Sequence, residues 1–304
     1  MLAFLFPGQG SQYPGMGRDV AETFPEAMAV FEEADRVLGF SLSGLCFEGP
    51  EEQLILTENT QPAILTTSVA IWSVLDKRGR RPDFVAGHSL GEFSALVAAG
   101  AMTFQDAVRL VRLRGRFMQE AVPPGQGAMA AVLGLELGDV EQICREAAGG
   151  DVVSPANINS LTQIVVAGHA NAVERASHLA HRRGARKVST LPVSAPFHCA
   201  LMKPAQERLA DVLKKTRLRD LRIPLVNNVD AAETRTADEV RDGLIRQVSS
   251  PVRWSDCLAT LRGVGVTSFV EVGPRKVLTL LIRQTDRSAR VKSIQNREQL
   301  EAYV

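Results

Sequence analysis

Apolar and polar positions along this chain follow two periods, and the periods divide it into strands and helices. The opening run Leu2-Ala3-Phe4-Leu5-Phe6 is unbroken and stops at Pro7-Gly8, the pattern of a buried strand. Thr23-Phe24-Pro25-Glu26 has the form of a capping box with Pro25 in the first turn, and Ala27, Val30, Phe31, Ala34 and Val37 follow at helical spacing. Pro62 is expected to open a further helix carrying Ile64, Ser68, Ile71, Trp72 and Leu75, ended by the basic break Lys77-Arg78-Gly79-Arg80-Arg81. Residues 84–86 then predict a short buried strand, and the alanine-rich residues 92–99 a short buried helix stopped by Gly100. Thr103, with Asp106 three residues on, announces a long helix. Its apolar side runs through Ala107, Leu110, Val111, Phe117, Met118 and Ala121, and Arg109, Arg112 and Arg116 fall on the opposite, solvated face.

Beyond Pro123-Pro124-Gly125-Gln126-Gly127 the order of elements changes. Strand 128–133, helix 139–148, strands 152–158 and 163–167, helix 170–183 and strand 187–193 make a βαββαβ unit of the ferredoxin-like kind. Residues 125–195 are therefore expected to form a small subdomain inserted into a larger α/β subdomain made of 1–124 and 196–304. The chain returns through Ser194-Ala195-Pro196-Phe197-His198-Cys199 into a helix over 201–216. A strand at 223–229, a helix capped by Thr236 with Glu239, a strand at 266–272, an apolar helix at 277–282 and a last strand at 291–294 complete the pattern.

Composition narrows the function classes. Among 304 residues, 35 basic and 34 acidic side chains nearly balance, which implies no general attraction to nucleic acid or to a membrane surface. No apolar run reaches membrane-spanning length, and the apolar start is too short and lacks the basic flank of a signal segment. Cys46, Cys144, Cys199 and Cys257 are widely spaced with no Cys-x-x-Cys pair, which suits free thiols in a reducing cytoplasm rather than disulfides or zinc. His178 and His181, one turn apart, read as a wet helix face and not as a metal site. The loop Pro7-Gly8-Gln9-Gly10-Ser11-Gln12 fits neither phosphate-binding fingerprint: Tyr13 stands where a third glycine is needed, and the lysine of a Walker loop is absent.

Candidate chemistry centres on Gly87-His88-Ser89-Leu90-Gly91, a Gly-x-Ser-x-Gly turn between a strand and a helix. Such a turn is a nucleophile elbow, and the helix starting beside it supplies backbone N–H groups suited to an oxyanion. Ser89 is the candidate nucleophile. Arg114 projects from the apolar stripe of its helix, where an unpaired guanidinium is costly. Its partner is either an internal carboxylate or the carboxylate of a substrate held by two parallel hydrogen bonds. Of the five histidines, His88 neighbours the serine in a tight turn and His169, His178 and His181 flank or ride a surface helix, leaving His198 as the best base. About a third of the chain follows His198 without another histidine, unlike the serine-acid-histidine order of ordinary α/β hydrolases. Gln247 leans its amide toward the core from the end of its helix.

Several segments in this order resemble the malonyl-CoA:acyl carrier protein transacylases and the related acyltransferase domains of polyketide synthases. They are Pro7-Gly8-Gln9-Gly10-Ser11-Gln12, Thr60-Gln61-Pro62-Ala63, Gly87-His88-Ser89-Leu90-Gly91-Glu92, Arg114-Gly115-Arg116-Phe117-Met118, Pro196-Phe197-His198, Asn227-Asn228, Gln247 before Ser250-Pro251-Val252, and Glu271-Val272-Gly273-Pro274. The resemblance implies an α/β fold with a hydrolase-like, mostly parallel core interrupted by the ferredoxin-like subdomain. It also implies that Ser89 attacks the malonyl thioester with His198 as base, that the amides of Gln9 and Leu90 hold the oxyanion, and that Gln247 orients His198 through a carbonyl. Arg114 would grip the free carboxylate, and Phe197 would disfavour an α-methyl group. Malonyl-CoA and a phosphopantetheinylated acyl carrier protein are the implied substrates, with no bound cofactor, no metal, no nucleic-acid or membrane partner, and a monomeric state. Arg182-Arg183 with Arg186-Lys187, or Lys214-Lys215 with Arg217 and Arg219, are candidate contacts for an acidic carrier. A free-standing polyketide acyltransferase, the malonyl-transfer subunit of a malonate decarboxylase, and a serine esterase or thioesterase are the alternatives.

Overall fold

A computed structural model describes residues 1–193 and 195–304; Ser194, in the return loop, lies outside the described residues. Strand β1 (Leu2–Phe6) is followed by helices α1 (Arg18–Thr23), α2 (Pro25–Leu38), α3 (Leu42–Glu48), α4 (Glu51–Leu54) and α5 (Thr57–Lys77). Then come β2 (Phe84–Gly87), α6 (Gly91–Ala98) and α7 (Phe104–Glu120). The inserted stretch is β3 (Gly127–Leu133), α8 (Leu137–Ala148), β4 (Val153–Ser160), β5 (Gln163–His169), α9 (Ala170–Arg182) and β6 (Lys187–Thr190). A short 3₁₀ turn leads into α10 (Lys203–Lys215), β7 (Leu225–Val226), β8 (Glu233–Thr234), α11 (Ala237–Gln247) and α12 (Trp254–Gly263). The chain ends with β9 (Ser268–Val272), α13 (Val277–Thr285), β10 (Arg290–Ile294) and α14 (Arg297–Glu301).

The larger sheet has the order β10-β9-β1-β2-β7-β8, parallel except at the β7–β8 edge. Its inner strands β9, β1, β2 and β7 are buried on both faces, while the edge strands β10 and β8 are partly exposed. Phe4, Phe6, Val85 and Val270 pack toward the layer of α2, α5, α6 and α7, and Ala3, Leu5, Phe84, Ala86 and Phe269 toward α12 and α13. The smaller sheet, β4-β5-β3-β6, is antiparallel and closes its own core against α8 and α9 through Val132, Val140, Ile143, Ile164 and Val173. This is the α/β architecture expected, with a mostly parallel core and a ferredoxin-like strand order beside it. The smaller sheet is tied to the segment before α12, where Ile158 N–H donates to Val252 O and Val252 N–H to Ala156 O.

Several local expectations are corrected. Thr23 does not cap α2; it ends α1, where its hydroxyl donates back to Asp19 O, and Phe24 occupies the cap position. Pro62 lies inside α5, which begins five residues earlier at Thr57. The proline deprives Glu58 O of its helical donor, and Arg112 Nη1 approaches that carbonyl at 3.5 Å. For the same reason Arg112 is only half-exposed, bonded to Asn59 and set over the Phe40 ring, while Arg109 and Arg116 are solvated. The strand expected at 223–229 shrinks to two residues because Asn227 and Asn228 leave the ladder for other bonds. Helices α1, α3, α4, α12 and α14 and strand β8 were not foreseen, being short or packed on more than one side.

Candidate active site

The elbow forms because its flanking glycines admit backbone where a side chain would collide. A Cβ on Gly91 would stand 2.0 Å from Phe6 O, and one on Gly87 2.0 Å from Gly91 C. Ser89 takes a left-handed φ of 52°, costly for a residue with a side chain, and Asn228 holds it there. Ser89 N–H donates to Asn228 Oδ1 at 2.7 Å, and Asn228 Nδ2 donates to Gly87 O at 2.7 Å.

His198 comes to the serine from beyond the inserted subdomain, itself at φ 60°. Its Nε2 lies 2.7 Å from Ser89 Oγ, and its Nδ1 lies 2.9 Å from the backbone O of Gln247. A carbonyl only accepts, so Nδ1 carries the proton and Nε2 offers its lone pair to the serine hydroxyl. The ring is buried, which together with the nearby Arg114 charge pushes the imidazole down to about 3. It is thus neutral and basic in form across the physiological range. His88 points away, donating from Nε2 to Asn159 Oδ1 and packing on Trp254, as its place in the turn demands.

Arg114 is 2 % exposed and touches no carboxylate among the described residues. Nη1 donates to Gln61 Oε1 at 2.8 Å, and Nη2 to Gln247 Oε1 at 2.9 Å and to Ser89 Oγ at 3.2 Å. The guanidinium lies over the Phe93 ring, and its Nε has no hydrogen-bond partner. A buried cation solvated only by neutral oxygens is incomplete electrostatically, and burial lowers it to about 10. Of the two partners considered from sequence, the directly bonded internal carboxylate is not what the structure contains.

These groups open onto a cleft of about 710 Å³ between the two sheets, lined by Gln9, Ser89, Leu90, Arg114, Phe197 and His198 among others. The backbone N–H groups of Gln9 and Leu90 find no acceptor among the described residues. The Gln9 loop is pressed against the elbow: a Cβ on Gly8 would sit 2.3 Å from His88 O. Every sequence-selected site residue therefore meets in one place, Gln247 twice over, through its backbone carbonyl and its amide.

Gln61, Glu92 and Asn228 were not given roles from sequence, although each stands in a quoted segment. Their partners are far away along the chain, so no local pattern discloses them. The basic runs are surface charges: Arg183 pairs with Glu146 and Lys214 with Asp211. Among the described residues no cluster of His, Cys, Asp or Glu could hold a metal ion.

The acyl transferase domain family matches residues 3–300. The chain belongs to the acyl transferase family. This acyl transferase is 47 % identical over 304 residues, all of its own length and 96 % of the relative's, to the malonyl CoA-acyl carrier protein transacylase of Bacillus subtilis. It superposes with a TM-score of 0.97 at 46 % identity on an acyl carrier protein S-malonyltransferase from Vibrio cholerae, covering 100 % of this chain and 99 % of the other. A malonyl-transacylase solved in complex with a type II PKS acyl-carrier protein matches with a TM-score of 0.97 at 45 % identity, over 99 % and 98 % of the two chains.

Proposed function

We propose that this acyl transferase moves malonyl from malonyl-CoA to the phosphopantetheine thiol of an acyl carrier protein, through a malonyl ester on Ser89, to supply fatty acid synthesis. The observation that carries the reading is Arg114: a buried guanidinium, 3.2 Å from the nucleophile and without a bonded carboxylate, suits the far end of a short diacid. The named relatives support the same substrates.

In the proposed sequence Ser89 Oγ passes its proton to His198 Nε2 and bonds to the thioester carbon. The amides of Gln9 and Leu90 receive the oxyanion, and Gln247 O steadies the imidazolium through Nδ1–H. Collapse expels CoA sulfur, which takes the proton from Nε2. The carrier thiol then gives its proton to Nε2, attacks the ester carbon, and Ser89 leaves with that proton restored. Once acylated, the serine oxygen is an ester oxygen and a poorer acceptor than a hydroxyl, so the Arg114 N–H that faced it turns to the stronger malonyl carboxylate. That carboxylate also offsets the guanidinium charge that weakens His198 as a base, so a diacid prepares its own catalyst. Phe197 lines the cleft, where it is suited to oppose an α-methyl group.

The division into a catalytic subdomain (1–124 and 196–304) and an inserted one (125–195), carrier docking through local basic patches, and a cytoplasmic setting belong to the same reading. The four buried free thiols favour a reducing compartment, and no helix among the described residues is long and apolar enough to cross a membrane. Intact mass after incubation with malonyl-CoA is the test. A malonyl adduct that appears with Ser89, is absent in Ser89→Ala, and is discharged by holo carrier protein is expected. Hydrolysis to malonate faster than transfer would replace the reading with a thioesterase.

A further inference from the structure

Glu92 is a buried carboxylate to which the proposed chemistry gives no task. It stands in the first turn of α6 directly behind the elbow, 2 % exposed, and forms no ion pair among the described residues. Its Oε2 accepts from Asn228 N–H at 2.9 Å and from Gln247 Nε2 at 3.0 Å. The other end of that same amide, Gln247 Oε1, accepts from Arg114 Nη2 at 2.9 Å. A buried anion and a buried cation thus face each other across one glutamine side chain. We infer that Glu92 is the resident counter-charge of Arg114, and that it takes up a proton from water when the malonyl carboxylate arrives at the guanidinium. The inference rests on the malonyl reading of Arg114.

The physical reason is that one buried guanidinium does not sustain two ionised carboxylates at low cost. The second anion to arrive raises the proton affinity of the first. The titratable and charged groups facing Glu92 are Arg114 from α7, Asp230 from the loop after β7 and Cys257 from α12; α11 contributes only the Gln247 amide. Burial pushes Glu92 up to about 7, so the proton is available near neutral pH, while Arg114 and the Asn228 and Gln247 bonds keep it from rising further. The consequence is an exchange of one carboxylate for another, which moderates the grip on malonyl and lets the group pass to the next thiol.

The test is the KM for malonyl-CoA in transfer to holo carrier protein, at pH 6 and pH 8, for the wild type and Glu92→Gln. Proton linkage predicts a wild-type KM up to about tenfold higher at pH 8 than at pH 6. In Glu92→Gln the KM should be low and the same at both values. A variant that keeps the wild-type ratio, or whose KM is raised at both pH values, overturns the inference. Should Glu92→Gln not fold, Ser89→Ala is titrated with malonyl-CoA at pH 7 in two buffers of different ionisation heat. About half a proton taken up per site, beyond that seen with acetyl-CoA, is expected; no excess uptake overturns it. A wild type that forms no malonyl ester sinks the substrate assignment instead, so the two failures are told apart.

Discussion

Replacing Arg114 with alanine separates recognition of the acid from the chemistry at Ser89. The guanidinium is buried and bonded to Gln61 and Gln247, so its loss removes a cation 3.2 Å from the serine hydroxyl and leaves two amide oxygens facing a void. Breaking a buried charge pair by removing one partner costs about 3 to 5 kcal/mol, which is roughly 150- to 5,000-fold in kcat/KM for malonyl-CoA. The same change relieves His198 of a nearby positive charge, so its basicity rises. Transfer of acetyl, which brings no carboxylate, should hold or improve. The assay is transfer to holo carrier protein from each donor under first-order conditions, with chemical denaturation confirming a folded variant. Malonyl and acetyl transfer falling in equal proportion would show Arg114 to be a scaffold for the elbow, and unchanged malonyl transfer would remove it from recognition altogether.

The depressed proton affinity of His198 carries a stability consequence. The unfolded imidazole protonates near 6.5 and the folded one only near 3, so the folded state should lose stability progressively as pH falls from about 6.5 toward 3. His88, lowered by burial, adds to the same slope, whereas Glu92, raised by burial to about 7, opposes it down to about 4.5, so the His198 contribution is read as the difference in urea midpoints between the wild type and His198→Ala across that range; no pH dependence in that difference would mean the ring is hydrated. Gly91→Ala sets a Cβ 2.0 Å from Phe6 O, backbone against backbone, and should destabilise the fold by about 3 kcal/mol or more in urea unfolding, with Ser89 acylation lost. A stable, active Gly91→Ala would contradict the close approach on which the elbow depends.

What the sequence determined by itself is what depends on near neighbours. Periodicity placed β1, β2, α7 and the βαββαβ insert, turn chemistry identified the elbow, and the apolar stripe of α7 exposed Arg114 as out of place. Boundaries set by distant contacts were misjudged. Pro62 looks like a helix start until Arg112 is seen to approach the carbonyl it leaves without a donor, and residues 223–229 look like a full strand until Asn228 is seen holding the elbow. The tertiary structure alone decided who meets Arg114. A charged side chain in an apolar stripe states a debt in electrostatic energy but not its creditor, because Coulomb forces act through space and the closest oxygens belong to Gln61, Ser89 and Gln247, on three other parts of the chain. For the same reason Glu92, one more polar letter at the end of a glycine-rich turn in sequence, becomes a buried countercharge only once α7 and α11 are folded around it.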